Sequence, residues 1–195
     1  MTAVSAIDTA SRTRSRRCAR LVLATLSAAS LASLAWASFV SPLPRVTYNS
    51  SDSVAVGWYL VEPLAHPAGS LPPAVQAGNI VLVPLPADAA VLAAWRGYLP
   101  MGIPLLKPVA AVAPQQVCIR AGIVRIDGVP VAAVLHRDGR GRPLHAWPSC
   151  RRLDPGELFL LSTINPASFD SRYFGPIRVS AVLGIAHPMW LETRR

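Results

Sequence analysis

Lysine is almost missing from this chain. Of its 19 lysine and arginine residues, one is lysine, Lys107. A sequence that writes nearly every cation as arginine would be expected to do so here too, if charge were all the position required. Arginine keeps its proton in any protein environment, whereas a buried lysine can give it up. Acidic residues are scarce as well, 10 against 19 basic, for a net charge of +9. That excess does not describe a nucleic-acid surface. Arg12, Arg14, Arg16, Arg17 and Arg20 form one N-terminal cluster, the others are scattered, and no aromatic side chains interleave with them. No nucleic-acid partner is expected.

Several catalytic signatures are absent too. No G-x-S-x-G surrounds a serine, and the four histidines, His66, His136, His145 and His187, sit among prolines, arginines and glycines or near the end of the chain. A serine–histidine triad is therefore poorly served. Without H-E-x-x-H or C-x-x-C, neither a zinc site nor a dithiol redox centre is indicated. No metal and no organic cofactor is implied. Residues 1–41 hold no proline, but 19 prolines recur along the rest of the chain. Beyond residue 41 that excludes long helices from most of the sequence.

What the chain does contain begins with an uncharged run of 20 residues, Leu21 to Val40. At about 1.5 Å of rise per residue, a helix of that length crosses a bilayer's hydrocarbon core. The arginines before it tend to stay in the cytoplasm, which would leave residues 41–195 outside. Three regions follow: a basic cytoplasmic N-terminus over 1–20, a membrane anchor over 21–40, and one exported domain over 41–195. A cleavable leader is the alternative, since Ala35-Trp36-Ala37 has the small-x-small pattern of a leader cut. In an exported domain Cys118 and Cys150 are expected to pair, leaving Cys18 beside the span.

The exported part reads as mostly β. Short apolar runs bounded by turn residues predict strands at Val54–Val61, Asn79–Leu85, Val109–Ala113, Gly122–Ile126, Val131–Leu135, Glu157–Leu161 and Ile177–Leu183. Asp127-Gly128 marks a hairpin between two of them, because glycine accepts the positive φ of a tight turn. One short helix fits Asp88 to Arg96 and is stopped by Gly97. A curled or barrel-like sheet is the expected result.

Three segments could carry chemistry. Lys107 lies between Ile103-Pro104-Leu105-Leu106 and Val109-Ala110-Ala111-Val112, an apolar setting that would suit a neutral amine acting as general base. A strand lysine that snorkels to water is the alternative there. Tyr48-Asn49-Ser50-Ser51-Asp52-Ser53-Val54 is the richest hydroxyl cluster. Ser168-Phe169-Asp170-Ser171-Arg172-Tyr173-Phe174-Gly175-Pro176 gathers an acid, an arginine, hydroxyls and aromatics before Gly-Pro. Read alone, the last two are also ordinary polar turns.

Taken together, these segments resemble the signal peptidase I clan, and within it the TraF-type conjugative transfer signal peptidases. The S-F-D-S-R-Y-F-G-P segment at 168–176 resembles that subfamily's box almost letter for letter. Residues 49–59 are similar to its nucleophile box and Gly102 to Ala111 to its lysine box. The resemblance spans residues 12–195 and implies a signal-peptidase-like, all-β catalytic domain behind one N-terminal transmembrane helix, with an exposed apolar surface resting on the bacterial inner membrane. It implies Ser53 as nucleophile, Lys107 as general base and Asp170 as the acid supporting the pair. Ser51 would assist the Ser53 amide at the oxyanion, Ser168 would orient the lysine amine, and Arg172 would hold Asp170. The implied substrate is an exported pre-protein or propilin, cleaved and in some cases cyclised. Ala55 stands where relatives usually carry proline, and Pro114-Gln115-Gln116 and Ile164-Asn165-Pro166 replace the Gly-Asp motifs of general leader peptidases. Those departures favour the conjugation branch. A non-catalytic docking component of a conjugation or secretion apparatus is the alternative function.

Overall fold

A computed structural model describes residues 20–35, 45–64 and 75–193. Arg12, Arg14, Arg16, Arg17, Cys18, the cut pattern at Trp36-Ala37, the end of the apolar run at 36–40, and His66 lie outside the described residues. Two units are distinguished, one up to Leu43 and one from Pro44 onward. In the first, residues 20–35 form a helix, α1, whose side chains are exposed along its length. Among the described residues no helix is long and apolar enough to cross a membrane.

The second unit is built on strands. These are β1 (Arg45–Asn49), β2 (Gly57–Pro63), β3 (Ile80–Val83), β4 (Leu105–Val112), β5 (Gln116–Arg120), β6 (Ile123–Ile126), β7 (Val129–Ala133), β8 (Cys150–Arg152), β9 (Glu157–Leu160), β10 (Ile177–Arg178) and β11 (Gly184–Leu191). Two helices, α2 (Ala87–Arg96) and α3 (Ser171–Phe174), interrupt them. One sheet has the order β1-β2-β11-β3-β4-β9-β10 and the other β7-β6-β5-β8. Every pairing is antiparallel. The mostly β expectation holds.

Alternation along the strands builds the core. In β3, Val81 and Val83 enter one cluster with Val109, Leu158 and Leu160, while Leu82 joins Tyr59, Val61, Leu106 and Ala186 in another. A third cluster gathers Ala111, Val117, Val124 and Phe159, where the two sheets meet. Lys107 sits in β4 opposite Val81 of β3. The strand that carries the cation is thus a central one, flanked by the apolar β3 on one side and by β9, apolar but for Glu157, on the other.

The turns obey local chemistry. Asp127 and Gly128 both adopt positive φ, 50° and 84°, and close β6 onto β7. Gly97 ends α2 in the left-handed conformation and donates its N–H back to Ala94. Cys118 of β5 lies directly opposite Cys150 of β8, and a disulfide joins them.

All seven predicted strands have different limits, most of them by two residues or more at one end. β4 starts at Leu105 rather than Val109, which brings Lys107 into the strand. Val54 to Val56 belong to the turn before β2, which starts at Gly57. β10 stops at Arg178, where the chain winds into a short 3-10 turn over Val179–Ala181. β7 runs from Val129 rather than Val131.

Candidate active site

Ser53 lies in the hairpin turn between β1 and β2, whose ends are paired at Asn49 and Gly57. Gly57 is required where the turn closes. Its φ is +145°, and a Cβ there would come 2.2 Å from the carbonyl oxygen of Trp190 in β11. Inside the turn, Asn49 is 6% exposed and its amide does most of the organising. Its Nδ2 donates to the carbonyls of Ser51, Val54 and Ala55 at 2.8, 3.2 and 3.1 Å. Its Oδ1 accepts from the Ser51 amide at 3.2 Å and from the Ser51 hydroxyl at 2.9 Å. Tyr59, buried in β2, donates its hydroxyl to the Ala55 carbonyl at 2.6 Å. A seven-residue polar turn is thereby fixed from within, and Ser53 is buried at its centre.

Lys107 reaches this turn from β4. Its Nζ is hydrogen-bonded to both Ser53 Oγ and Ser168 Oγ, and the two hydroxyl oxygens are 3.1 Å apart. Lys107 is 4% exposed. Burial lowers its pKa from the ordinary lysine value to about 8, with the Asp170 charge pulling upward and the Arg172 charge pulling down. The amine is still mostly protonated at neutral pH, but far more of it is neutral than for an exposed lysine, and a neutral amine accepts a proton from a hydroxyl. The snorkelling alternative does not describe this side chain.

The third segment supports the other two. Asp170 caps the one-turn α3, accepting from the Arg172 amide at 3.2 Å. Arg172, fully buried, binds Asp170 with Nε at 2.8 Å and Nη2 at 2.9 Å. Its remaining donors reach the carbonyls of Ala133, Pro166, Asn165 and Ser168. A buried ion pair with every donor satisfied is a rigid unit, and losing one member leaves an uncompensated charge. Because Arg172 holds the Ser168 carbonyl, the hydroxyl that meets Lys107 is set by the same arginine.

Ser53, Lys107, Ser168, Asp170 and Arg172 are thus brought into one connected network. Ser51 is adjacent but exposed, with its hydroxyl bound to Asn49. Cys118 and Cys150 stand apart, in the second sheet.

Sequence reasoning overlooked two residues of this network. Ser162, 1% exposed, donates its hydroxyl to the Ser53 carbonyl at 2.7 Å and its amide to Asp170 Oδ2 at 3.1 Å. Asn49 is the other. Its signal was present, since asparagine just before a run of serines readily bonds its own backbone. Nothing around Ser162 announces its role.

A cleft of about 650 Å³ opens onto Ser53, Lys107 and Ser168, walled by Leu82, Leu105 and Leu106 among others. Apolar walls with a few converging polar groups are the usual form of a substrate site.

Comparison with known proteins gives consistent matches. The family model described as signal peptidase, peptidase S26, matches residues 18–191. A conjugal transfer protein TraF of Agrobacterium fabrum (strain C58) is 40% identical over 151 residues, which cover 73% of this chain and 80% of that protein. A probable conjugal transfer protein TraF of Sinorhizobium fredii (strain NBRC 101917 / NGR234) is 32% identical over 189 residues, 92% of this chain and 93% of the relative. Among solved structures, a signal peptidase I from Enterococcus faecalis V583 aligns with 57% of this chain and 95% of its own, at 22% identity and a TM-score of 0.36.

Proposed function

The chain belongs to the signal peptidase family, peptidase S26, and on that premise we propose that it is a serine endopeptidase with Ser53 as nucleophile and Lys107 as general base. The observation that carries this reading is the buried contact of Lys107 Nζ with Ser53 Oγ, in a setting that lowers the lysine pKa to about 8. Neutral Lys107 takes the proton of Ser53 Oγ as the oxygen attacks the scissile carbonyl. The ammonium then gives that proton to the departing amine, and the acyl group stays on Ser53 as an ester. Water, or an amine of the substrate itself, attacks the ester and releases the product. In this scheme Ser168 keeps the amine aimed at Ser53, while Asp170 and Arg172 hold the segment that carries Ser168. The oxyanion falls to the Ser53 amide, joined by the Ser51 hydroxyl once it turns from Asn49.

Relatives named as conjugal transfer proteins support the narrower reading that the substrate is a propilin or another exported protein of a conjugation system. The uncharged run at 21–40 would anchor the enzyme in the bacterial inner membrane, with the catalytic unit in the periplasm. A reporter active only in the periplasm, fused after Arg195, should then be active, and a silent fusion refutes the orientation. Mass spectrometry of pilin from cells with and without this chain tests the activity. Loss of cleaved product without it is expected; a product lighter than the hydrolysed one by one water marks cyclisation. Identical pilin masses in both strains overturn the assignment.

A further inference from the structure

The cleft that ends at Lys107 has another stretch of wall that the proposed chemistry does not use. There it is lined by Arg96 and Tyr98, at and just beyond the end of α2, and by Asp138, Arg140 and Arg142. Asp138 is the one carboxylate among the residues lining this cleft, and its oxygens are already occupied. Tyr98 donates its hydroxyl to Asp138 Oδ2, and Arg142 Nε donates to the same oxygen at 2.7 Å. The amides of Arg140 and Arg142 donate to Oδ1 at 2.9 and 3.0 Å. Burial opposes ionisation of Asp138, but these donors outweigh it and hold the carboxyl well below the usual carboxylate range. Three guanidinium groups thus face one satisfied carboxylate, leaving this wall with an excess of positive charge.

The two remaining arginines are used by the fold only in part or not at all. The Arg96 side chain is 11% exposed, lies 3.9 Å from Asp138, and spends Nη1 on the Tyr98 hydroxyl at 3.3 Å. Its Nε is buried and has no hydrogen-bond partner among the described residues. A buried donor left without an acceptor is costly, but this one is closed to the cleft, so the donors of Arg96 that a ligand could meet are its terminal nitrogens. Arg140 is exposed on the same wall and has no ion-pair partner among the described residues. Arg142, by contrast, is fixed on Asp138 and on the Arg96 carbonyl, which it reaches at 3.1 Å. It ties the 138–142 turn to the end of α2 and so sets the spacing of Arg96 and Arg140.

We propose that this wall is a subsite for a carboxylate of the peptide substrate, held by Arg96 and Arg140 while Ser53 meets the scissile bond. The inference rests on the reading that the cleft binds peptide. The guanidinium fork matches the two oxygens of a carboxylate. Arg96 is nearly nine-tenths buried, so its partner must enter the cleft, as an extended peptide does and a headgroup fixed in a bilayer surface does not. The carboxylate is an aspartate or glutamate side chain near the cleavage point, or the free C-terminus of a short tail beyond it.

Binding rather than cleavage tests this. The full-length Ser53→Ala protein in detergent is titrated into fluorescent alanine-rich peptides in which one glutamate is walked along the chain. Matched glutamine peptides, and peptides with free or amidated C-termini, complete the set. Glutamate at one or two positions, or the free terminus, should tighten binding by about 10-fold, the scale of a charge-assisted contact. Arg140→Gln, at an exposed position, should abolish that gain and leave the glutamine peptides bound as before; Arg96→Gln should do the same if folded. A gain in the glutamate series assigns the side chain, and one confined to the free terminus assigns the chain end. The proposal is overturned if no carboxylate tightens binding or if the gain survives both substitutions. It is equally overturned if Arg140→Gln weakens adsorption to phosphatidylglycerol vesicles and leaves peptide binding unchanged. Loss of cleavage in the wild type would sink the peptidase assignment without touching these titrations.

Discussion

The hydroxyl of Ser162 donates a 2.7 Å hydrogen bond to the main-chain carbonyl of Ser53, and the amide of the same residue donates to Asp170. Asp170 thereby acts on the proposed nucleophile's backbone through one intervening residue, in addition to its electrostatic effect on Lys107.

Ser162→Ala removes that tether and leaves the Ser53 carbonyl with a buried, unmade hydrogen bond. The cost to stability is on the order of 1 kcal/mol. Turnover should fall by about 10-fold while KM changes little, because the misplaced group acts in the transition state and not in binding. Equal kcat values for variant and wild type would show that the contact is only structural.

Asn49→Ala should do more damage, since one amide holds three carbonyls and the Ser51 hydroxyl. We expect a folded protein whose turnover is reduced by at least about 10²-fold, the scale of lost positioning of a catalytic group. Asn49→Asp keeps the acceptor and loses the donors, so it should not restore activity. Circular dichroism paired with a cleavage assay reads both quantities.

Lys107 should also leave a mark on stability. Its pKa is lowered in the folded state to about 8 from 10.5, so between those values the unfolded chain binds more protons than the folded one. Stability therefore rises with pH from about 8 to 10.5 and is lowest, as far as this group decides, below that window. Lys107→Met should flatten the rise and raise the melting temperature at pH 7. An unchanged stability profile in the variant contradicts the lowered pKa.

The Cys118–Cys150 bridge clamps β5 to β8 in the smaller sheet, away from the proposed active site. Cys150→Ser should lower stability by about 2–4 kcal/mol, with cleavage at low temperature largely retained. Denaturant titration of the variant, beside wild type with and without reductant, measures the loss.

Much of this was legible from residue types alone. The end of α2 followed from Gly97 and the β6–β7 turn from Asp127-Gly128, while the apolar flanks of Lys107 suggested burial but left snorkelling open. β11 was not legible, although it lies between β2 and β3 in the sheet. Its sequence, with Pro188 where the pairing register shifts and polar His187 beside it, lacks the alternation of a half-buried strand. β1 and β5 were hidden for a related reason, since their arginines, asparagine and glutamine break any apolar run. The site was legible to the extent that its groups are chemically unusual. A solitary lysine stands out, whereas Ser162 is one serine among many and gains its role from a contact 109 positions away.

The central claim is that Lys107 acts as a base and not merely as a cation, and Lys107→Arg tests it most directly. Arginine keeps the charge and roughly the reach but cannot accept the Ser53 proton. Cleavage of a peptide substrate by purified wild-type and variant protein, matched for folding, should show a loss of at least about 10²-fold. Cleavage by Lys107→Arg at near the wild-type rate would contradict the account.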